Sequence, residues 1–296
     1  IARQLIEKRN EQVAIISRGY KRKTKGLIEV QINSSADQVG DEPLLVKKQL
    51  PEAIVLVSKD RNLAIQKILD SHPEIHTILL DDGLQHWRVK PHISILLTSY
   101  HQPYFNDHVF PRGNLRESKS GADRADLIVI TKCPELDTSQ KQMMIDQVNP
   151  LQKQSVFFSK IIYKPFHCIQ TSQNQVPSTQ ELSIEKARSM KWYLVTGIAD
   201  AKPLIDYLEQ KEIDFIHRSF PDHYHYSIRD IEHVLSSSAD RNLLTTEKDI
   251  VKWLDFKELF KDKPIYTLPI TVNITSNAGE DFIALIDKKK HSFRSE

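Results

Sequence analysis

The chain has 296 residues, 40% of them hydrophobic and 27% charged, the proportions of a folded protein long enough for two ordinary domains with a core in each. A formal net charge of only +2 does not indicate a bulk polyanion partner, so any anion-binding surface has to be local. Cys133 and Cys168 lie far apart without metal-ligand spacing, which fits a reducing compartment and not a disulfide framework, and no run of about twenty apolar residues offers a membrane span or reads as a leader.

The opening residues, Ile1-Ala2-Arg3-Gln4-Leu5-Ile6-Glu7-Lys8, set Ile1, Leu5 and Ile6 at helical spacing with no cap before them. They are expected to be the tail of a helix that begins outside this chain. Val13-Ala14-Ile15-Ile16 is a short apolar strand running into the basic stretch from Ser17-Arg18-Gly19-Tyr20 to Lys25-Gly26. A charge run is ordinarily a solvated surface, but at a strand end, between glycines and beside an aromatic ring, it also suits phosphate groups or an anionic lipid head. In Val39-Gly40-Asp41-Glu42-Pro43 the glycine ends one structure and the proline suits the first turn of the next helix. Asp41 therefore stands near a helix N-terminus, and spacing alone makes it a cap. Ala53 to Val57 is another buried strand, followed by Arg61 where a helix begins; its guanidinium has either phosphates or Asp60 as a partner.

The stretch Ile75-His76-Thr77-Ile78-Leu79-Leu80-Asp81-Asp82-Gly83-Leu84-Gln85-His86 reads as a buried strand that delivers two carboxylates at its C-terminal edge, where open α/β sheets place ligands. Adjacent carboxylates suit magnesium, which phosphoryl-transfer sites hold with one or two acids, nucleotide phosphates and water. An acidic Asp-Gly turn is the plain alternative, and the polar Gln85-His86 that continues beyond it favours the metal. His92 to Leu97 and Ala125 to Lys132 supply two more strands around a loop with paired charges, Pro111 to Glu117. Thr131-Lys132 at a strand end suits the border of a purine base or a solvated turn. Strands separated by helical stretches, with polar loops at their ends, predict a mostly parallel sheet with helices on both faces.

Residues 155–180, extended around Lys164-Pro165 and then polar, read as a linker. It divides a nucleotide, magnesium and catalytic domain, 1–154, from a smaller α/β domain, 181–296, that closes the cleft. The second unit opens with Trp192 to Asp200, a strand and glycine turn leading into a helix around Pro203 to Gln210, and continues with Asp214 to Phe220, Leu243 to Asp249 and Pro264 to Leu268. Between two of them lies Pro221-Asp222-His223-Tyr224-His225-Tyr226. Histidines on such an aromatic loop are either structural or, for one placed opposite a carboxylate, equipped for general acid–base work; further ligands at metal spacing are not seen.

Ser17-Arg18-Gly19-Tyr20, Gly40-Asp41-Glu42-Pro43, Asp81-Asp82-Gly83-Leu84-Gln85-His86, Pro111 to Glu117, Arg124-Ala125-Asp126, Val195-Thr196-Gly197-Ile198, Phe220-Pro221-Asp222-His223 and Thr245-Thr246-Glu247-Lys248-Asp249 occur in an order that resembles the tetraacyldisaccharide 4′-kinase family of lipid A synthesis, LpxK. Each piece is weak, and the ordered set is specific. The resemblance implies transfer of the ATP γ-phosphate to the 4′-hydroxyl of a tetraacylated glucosamine disaccharide 1-phosphate, giving lipid IVA. It implies an α/β fold, a P-loop NTPase-like sheet joined to a smaller α/β domain with the site between them. By position it makes Asp41 the catalytic carboxylate with His223 as its partner, and sets Asp81 and Asp82 on magnesium. Arg18, Glu42, Arg61, Gln85, His86, Arg116 and Glu117 would surround substrate and phosphate, with Thr131 and Lys132 beside the nucleotide. It further implies peripheral work at the cytoplasmic surface of the bacterial inner membrane, with no nucleic acid and no obligate protein partner.

Two departures stand out. The family's glycine-rich G-x-x-x-x-G-K-[ST] loop and hydrophobic N-terminal helix are expected upstream of Ile1, and no such motif occurs from Ile1 onward, so this stretch alone is expected to bind ATP poorly and turn over little. Trp87-Arg88 stands where the family usually has a basic residue directly after the histidine, and Leu84 replaces the common Phe. An alternative reading of the same sheet is a nucleotide-dependent regulatory module without lipid kinase activity, which has no need of His223 opposite a carboxylate.

Overall fold

The structure, a computed structural model, describes residues 1–169, 179–260 and 263–292. Three sheets organise them. The first contains β1 (Val13–Ser17), β2 (Ile28–Glu29), β3 (Ile54–Val57) and β4 (Thr77–Leu80) in the order β2-β3-β1-β4, parallel except for β2. The second contains β5 (Ile95–Ser99), β6 (Leu127–Thr131), β7 (Ser155–Tyr163) and, last in the chain, β14 (Ile270–Ser276). Its order is β14-β7-β6-β5, with β14 antiparallel to β7. The third is built from β8 (Phe166–Ile169), β9 (Thr179–Leu182), β10 (Lys191–Thr196), β11 (Asp214–Ser219), β12 (Asn242–Thr245) and β13 (Ile265–Thr267). Its order β11-β10-β12-β13-β8-β9 has a parallel half and an antiparallel edge.

Side chains of a strand alternate between faces, and the apolar strands use both. In the first two sheets Val13, Val55, Val57, Leu127, Val129 and Phe157 share one core with α1 (Ala2–Arg9), with Val39 of α2 (Ala36–Val39), with Leu44 of α3 (Asp41–Gln49) and with α11 (Phe282–Ser292). Their neighbours in sequence turn the other way. Ala14, Ile16 and Leu56 meet Ala64 and Ile68 of α4 (Arg61–Ser71), and Ile128 and Ile130 meet Val148 of α5 (Thr138–Val148). The two sheets are therefore one lobe, covered on both sides as parallel sheets require. In the third sheet Trp192, Leu194 and Leu244 face α6 (Ile184–Arg188) and α7 (Lys202–Gln210). Tyr193, Val195 and Leu243 face α8 (Ile228–Ser237), α9 (Glu247–Trp253) and α10 (Lys257–Phe260).

Three differences from the sequence reading have physical causes. Ser155 to Tyr163, expected in a linker, is extended but paired on both sides as β7. The rest of that linker either joins the third sheet as β8 and β9 or, at 170–178, lies outside the described residues. β14 and α11, expected in the C-terminal domain, belong to the first lobe: β14 pairs with β7 over seven residues, and Phe282 packs edge-on against Phe157 with ring centroids 5.1 Å apart. β4 is half-buried and not fully buried, because it is an edge strand with β1 as its neighbour.

Phe282 is 6% exposed, and removing a buried aromatic side chain costs about 3–5 kcal/mol. Phe282→Ala is expected to lower the urea-unfolding free energy of the large lobe by that amount; a loss under ~1 kcal/mol would mean that α11 does not seal this core.

Candidate active site

Asp41 is placed by a corner that the local sequence dictates. α2 opens with a capping box in which Ser35 and Gln38 bond each other's backbone N–H, and it ends at Gly40, whose φ of 94° excludes ordinary side chains. A Cβ on Gly40 would also lie 3.3 Å from the Tyr20 carbonyl oxygen, so the basic loop presses directly on this corner. α3 starts immediately afterwards. Its cap is Gly40, not Asp41 as spacing suggested; Asp41 is the first helical residue, and its Oδ1 accepts the Glu42 N–H at 2.9 Å. The carboxylate, 6% exposed, is thus free to face the second lobe from a helix N-terminus, where negative charge is favoured.

His223 meets it there. The imidazole Nδ1 lies 2.9 and 3.0 Å from the two Asp41 oxygens, across a sequence separation that only the closed lobes can bridge. The residue has φ 55°, a left-handed conformation that costs a non-glycine residue on the order of 1–3 kcal/mol and persists where its surroundings enforce it. The Tyr20 ring stands edge-on to the imidazole at 5.2 Å. On the far side, Lys248 Nζ lies 3.1 Å from His223 Nε2, 3.1 Å from Glu42 Oε1 and 3.1 Å from Asp222 Oδ1. Burial works to lower the Lys248 ammonium's pKa, but the Asp41 charge, Glu42 and Asp222 prevail and hold it above its ordinary value.

A second cation, the buried Lys252, reaches within 3.6 Å of Asp41 Oδ2 and 3.0 Å of Asp249 Oδ1. Asp249 is fully buried and anchors the loop end of β10 by accepting from Gly197 N at 2.8 Å, Thr246 Oγ1 at 2.7 Å and Tyr226 Oη at 3.1 Å. Burial, reinforced by Asp249, pushes the Tyr226 phenol far up, so it stays a hydrogen-bond donor. A cavity of about 100 Å³ adjoins the pair, with Asp41 and His223 on its wall beside Tyr20, Lys21, Lys252 and Phe256.

The acidic strand end forms a separate group. Asp81 Oδ2 accepts the Ser17 hydroxyl at 3.0 Å, tying β4 to the start of the basic loop. Arg61 does not pair with Asp60, which caps α4 through Asn62 N and Leu63 N. Its guanidinium is buried and donates to the Ser58 and Asp81 carbonyls, the latter at 3.0 Å, leaving Nε without a partner. Burial lowers its pKa, while Asp81 and Asp82 oppose the shift. Asp82, at φ 49°, pairs with Arg116 at 2.8 Å, and Arg116 and Glu117 each meet Gln85 at 3.4 Å. His86 Nε2 is buried with no partner.

Of the residues picked from sequence, Asp41, Glu42 and His223 are thus one cluster, and Asp81, Asp82, Arg61, Gln85, Arg116 and Glu117 another, with His86 on the same turn. Arg18 is exposed beside them, close enough to Arg61 for their charges to oppose. Thr131 and Lys132 are apart from both: the Thr131 hydroxyl donates to the Thr98 carbonyl at 3.1 Å, and Lys132 meets Asp200 of the small lobe at 3.6 Å. Sequence reading gave no role to Lys248, Lys252 or Ser17, although Ser17 and Lys248 stand within the family segments. The signal for Lys248 was a cation in the first turn of a helix, where the backbone disfavours positive charge and an acidic partner has to be supplied; Lys252, in the last turn of the same helix, gave none.

An acid held by an imidazole, together with a strand end that carries two more acids, on mostly parallel α/β sheets, is the equipment of a phosphotransferase that acts on an alcohol. The chain belongs to one such family: the tetraacyldisaccharide-1-P 4′-kinase (LpxK) profile matches residues 1–289. It is similar to the tetraacyldisaccharide 4′-kinase of Flavobacterium johnsoniae, 37% identical over 260 residues, which span 88% of this chain and 73% of that protein. Against the enzyme of the same name from Bacteroides thetaiotaomicron it is 34% identical over 284 residues, 92% of this chain and 75% of that one. In three dimensions it resembles LpxK from Aquifex aeolicus, crystallised with ATP, with a TM-score of 0.71 at 24% identity, over 98% of this chain and 81% of that one; this last likeness is one of fold.

Burial works to raise the Asp222 carboxyl's pKa, but the bonded Lys248 ammonium prevails and holds it below the ordinary carboxylate range. A carboxyl held low in the folded state contributes stability that is complete above its unfolded value, 3.8, and is lost as pH falls through the folded one. Asp222→Asn is therefore expected to flatten the decline of the urea midpoint as pH falls below about 5; an unchanged decline would mean that this ion pair does not contribute.

Proposed function

We propose that the chain transfers the γ-phosphoryl group of ATP to the 4′-hydroxyl of a tetraacylated glucosamine disaccharide 1-phosphate, giving lipid IVA, with Asp41 as general base. The observation that carries this reading is the Asp41–His223 contact at 2.9 Å in a cleft between lobes. A sugar hydroxyl is a poor nucleophile, and a buried carboxylate oriented by an imidazole is suited to take its proton as the oxygen attacks phosphorus. The O–H bond breaks to Asp41, the new O–P bond forms, and the γ-to-β bridge breaks to release ADP.

Positioning and charge neutralisation supply the remainder. Arg61 and His86, each with a buried nitrogen that lacks a partner, and Arg116 at the Asp82 turn suit the phosphates, and Arg18 lies beside them. Asp81 and Asp82 suit magnesium, since two carboxylates plus phosphate oxygens and water are what this hard cation takes in such sites. An ion held by Asp81 and Asp82 would supply neutralisation of phosphate charge. Ser17 holds Asp81 in place for this, at 3.0 Å. In the same reading Thr131 and Lys132 border the base, and the two lobes are the walls of one cleft.

The acyl chains of such a substrate are membrane-bound, so the enzyme works peripherally, at the cytoplasmic face of the bacterial inner membrane; no helix among the described residues is long and apolar enough to cross it. The regulatory-module alternative has no use for an imidazole bonded to a buried acid and finds no support in the family.

In the full-length protein, Asp41→Asn is expected to lower kcat for the acylated disaccharide 1-phosphate by roughly 10²–10⁴-fold with little change in KM for ATP. Undiminished turnover would remove Asp41 as the base.

A further inference from the structure

The imidazole has two nitrogens, and the second one carries information about the first. A lysine ammonium has three N–H donors and no acceptor. Lys248 Nζ has three neighbours at 3.1 Å, the carboxylate oxygens of Glu42 and Asp222 and the Nε2 of His223. Three donors therefore meet three acceptors, provided that Nε2 presents its lone pair. We propose that Lys248 is a positioning residue that fixes His223 as the neutral tautomer protonated on Nδ1, so that the ring donates to Asp41 and cannot carry a proton away from it.

The other protonation states fail on the same distances. With the proton on Nε2 alone, an N–H would face the ammonium, and the Nδ1 lone pair would face two carboxylate oxygens at 2.9 and 3.0 Å. The doubly protonated ring repairs the second contact but not the first. The other oxygens near Nε2, Asp222 Oδ2 at 3.6 Å and Glu42 Oε1 at 3.8 Å, are beyond hydrogen-bond reach. Among the described residues the charged or titratable groups in contact with the ring are Asp41 and Glu42 from α3, Asp222 from its own loop, Lys248 from α9, and the Tyr20 ring edge-on, with Lys21 nearby on the Asp222 carbonyl. Lys252 touches Asp41 and not the ring.

The catalytic consequence rests on the reading of Asp41 as base. A proton taken from the acceptor hydroxyl stops on Asp41 and leaves to solvent after product release, and His223 orients the carboxylate without relaying the proton. The tautomer itself is observable with no turnover at all.

The test is a long-range ¹H–¹⁵N correlation spectrum of full-length protein labelled with ¹⁵N-histidine, at neutral pH. Wild type is expected to show His223 with a protonated Nδ1 and an unprotonated Nε2. In Lys248→Met the ring is expected to acquire proton density on Nε2, with kcat reduced roughly 10–100-fold and KM changed less than about twofold. Lys248→Arg, which keeps a charged donor, is expected to restore the Nδ1 tautomer and part of kcat. A wild-type proton on Nε2, or a Lys248→Met spectrum identical to wild type, overturns the assignment. If Lys248→Met does not fold, the wild-type spectrum decides alone. An Asp41→Asn enzyme that keeps its activity while wild type shows the Nδ1 tautomer would overturn the base and leave the role of Lys248 standing.

Discussion

The carboxylate of Asp41 is buried at the seam between two lobes, and a buried charge without partners is among the most destabilising features that a fold can contain. It is tolerated here because the small lobe brings its partners. His223 bonds both oxygens and Lys252 stands 3.6 Å away. The satisfaction of one acid therefore requires the lobes to be closed, and the lobes meet through the helices that carry the charges: α3 packs against α9, Gln49 bonds Glu247 at 2.8 Å, and Val251 sits in the core that also contains Leu44. Chemistry and architecture share one set of contacts, so an alteration at this seam changes both.

The basic loop after β1 takes its meaning from the same seam. Met in sequence, it is a run of cations that suits a phosphate or a lipid head. In the structure several of those cations are already engaged: Lys21 donates to the Asp222 carbonyl at 3.1 Å, and Lys23 bonds Asp37, which also holds His225 at 3.0 Å. Arg18 is the cation left exposed near the acidic strand end. The loop thus acts largely as a brace between lobes, and its capacity for an anion rests on fewer side chains than its composition suggests.

How much of this was legible follows from the range of each interaction. β1, β3, β6, β10 and β12 are continuous apolar runs, and their positions could be read because both faces of each strand are buried. Asp81 and Asp82 were legible for the same reason, as charge placed where a strand has to end. Asp41 was ambiguous because a cap and a catalytic acid occupy the same place at a helix start; what separates them is His223, 182 residues away. The pairing of β7 with β14 was illegible for a related reason, since an extended stretch beside a proline looks alike whether solvated or hydrogen-bonded to a strand more than a hundred residues later.

The return of β14 and α11 to the first lobe means that the small lobe is an insert within the large one. Its two crossings, at Lys164-Pro165 and Leu268-Pro269, run side by side, with Lys164 N bonded to Pro269 O at 2.9 Å. In chain order the insert's last strand, β13, ends at Thr267, and only then does the large lobe gain its edge strand β14 (Ile270–Ser276) and its covering helix α11 (Phe282–Ser292). Domains fold as units as the chain grows, so the large lobe, although begun first, cannot close its sheet and core until every residue of the insert has been made.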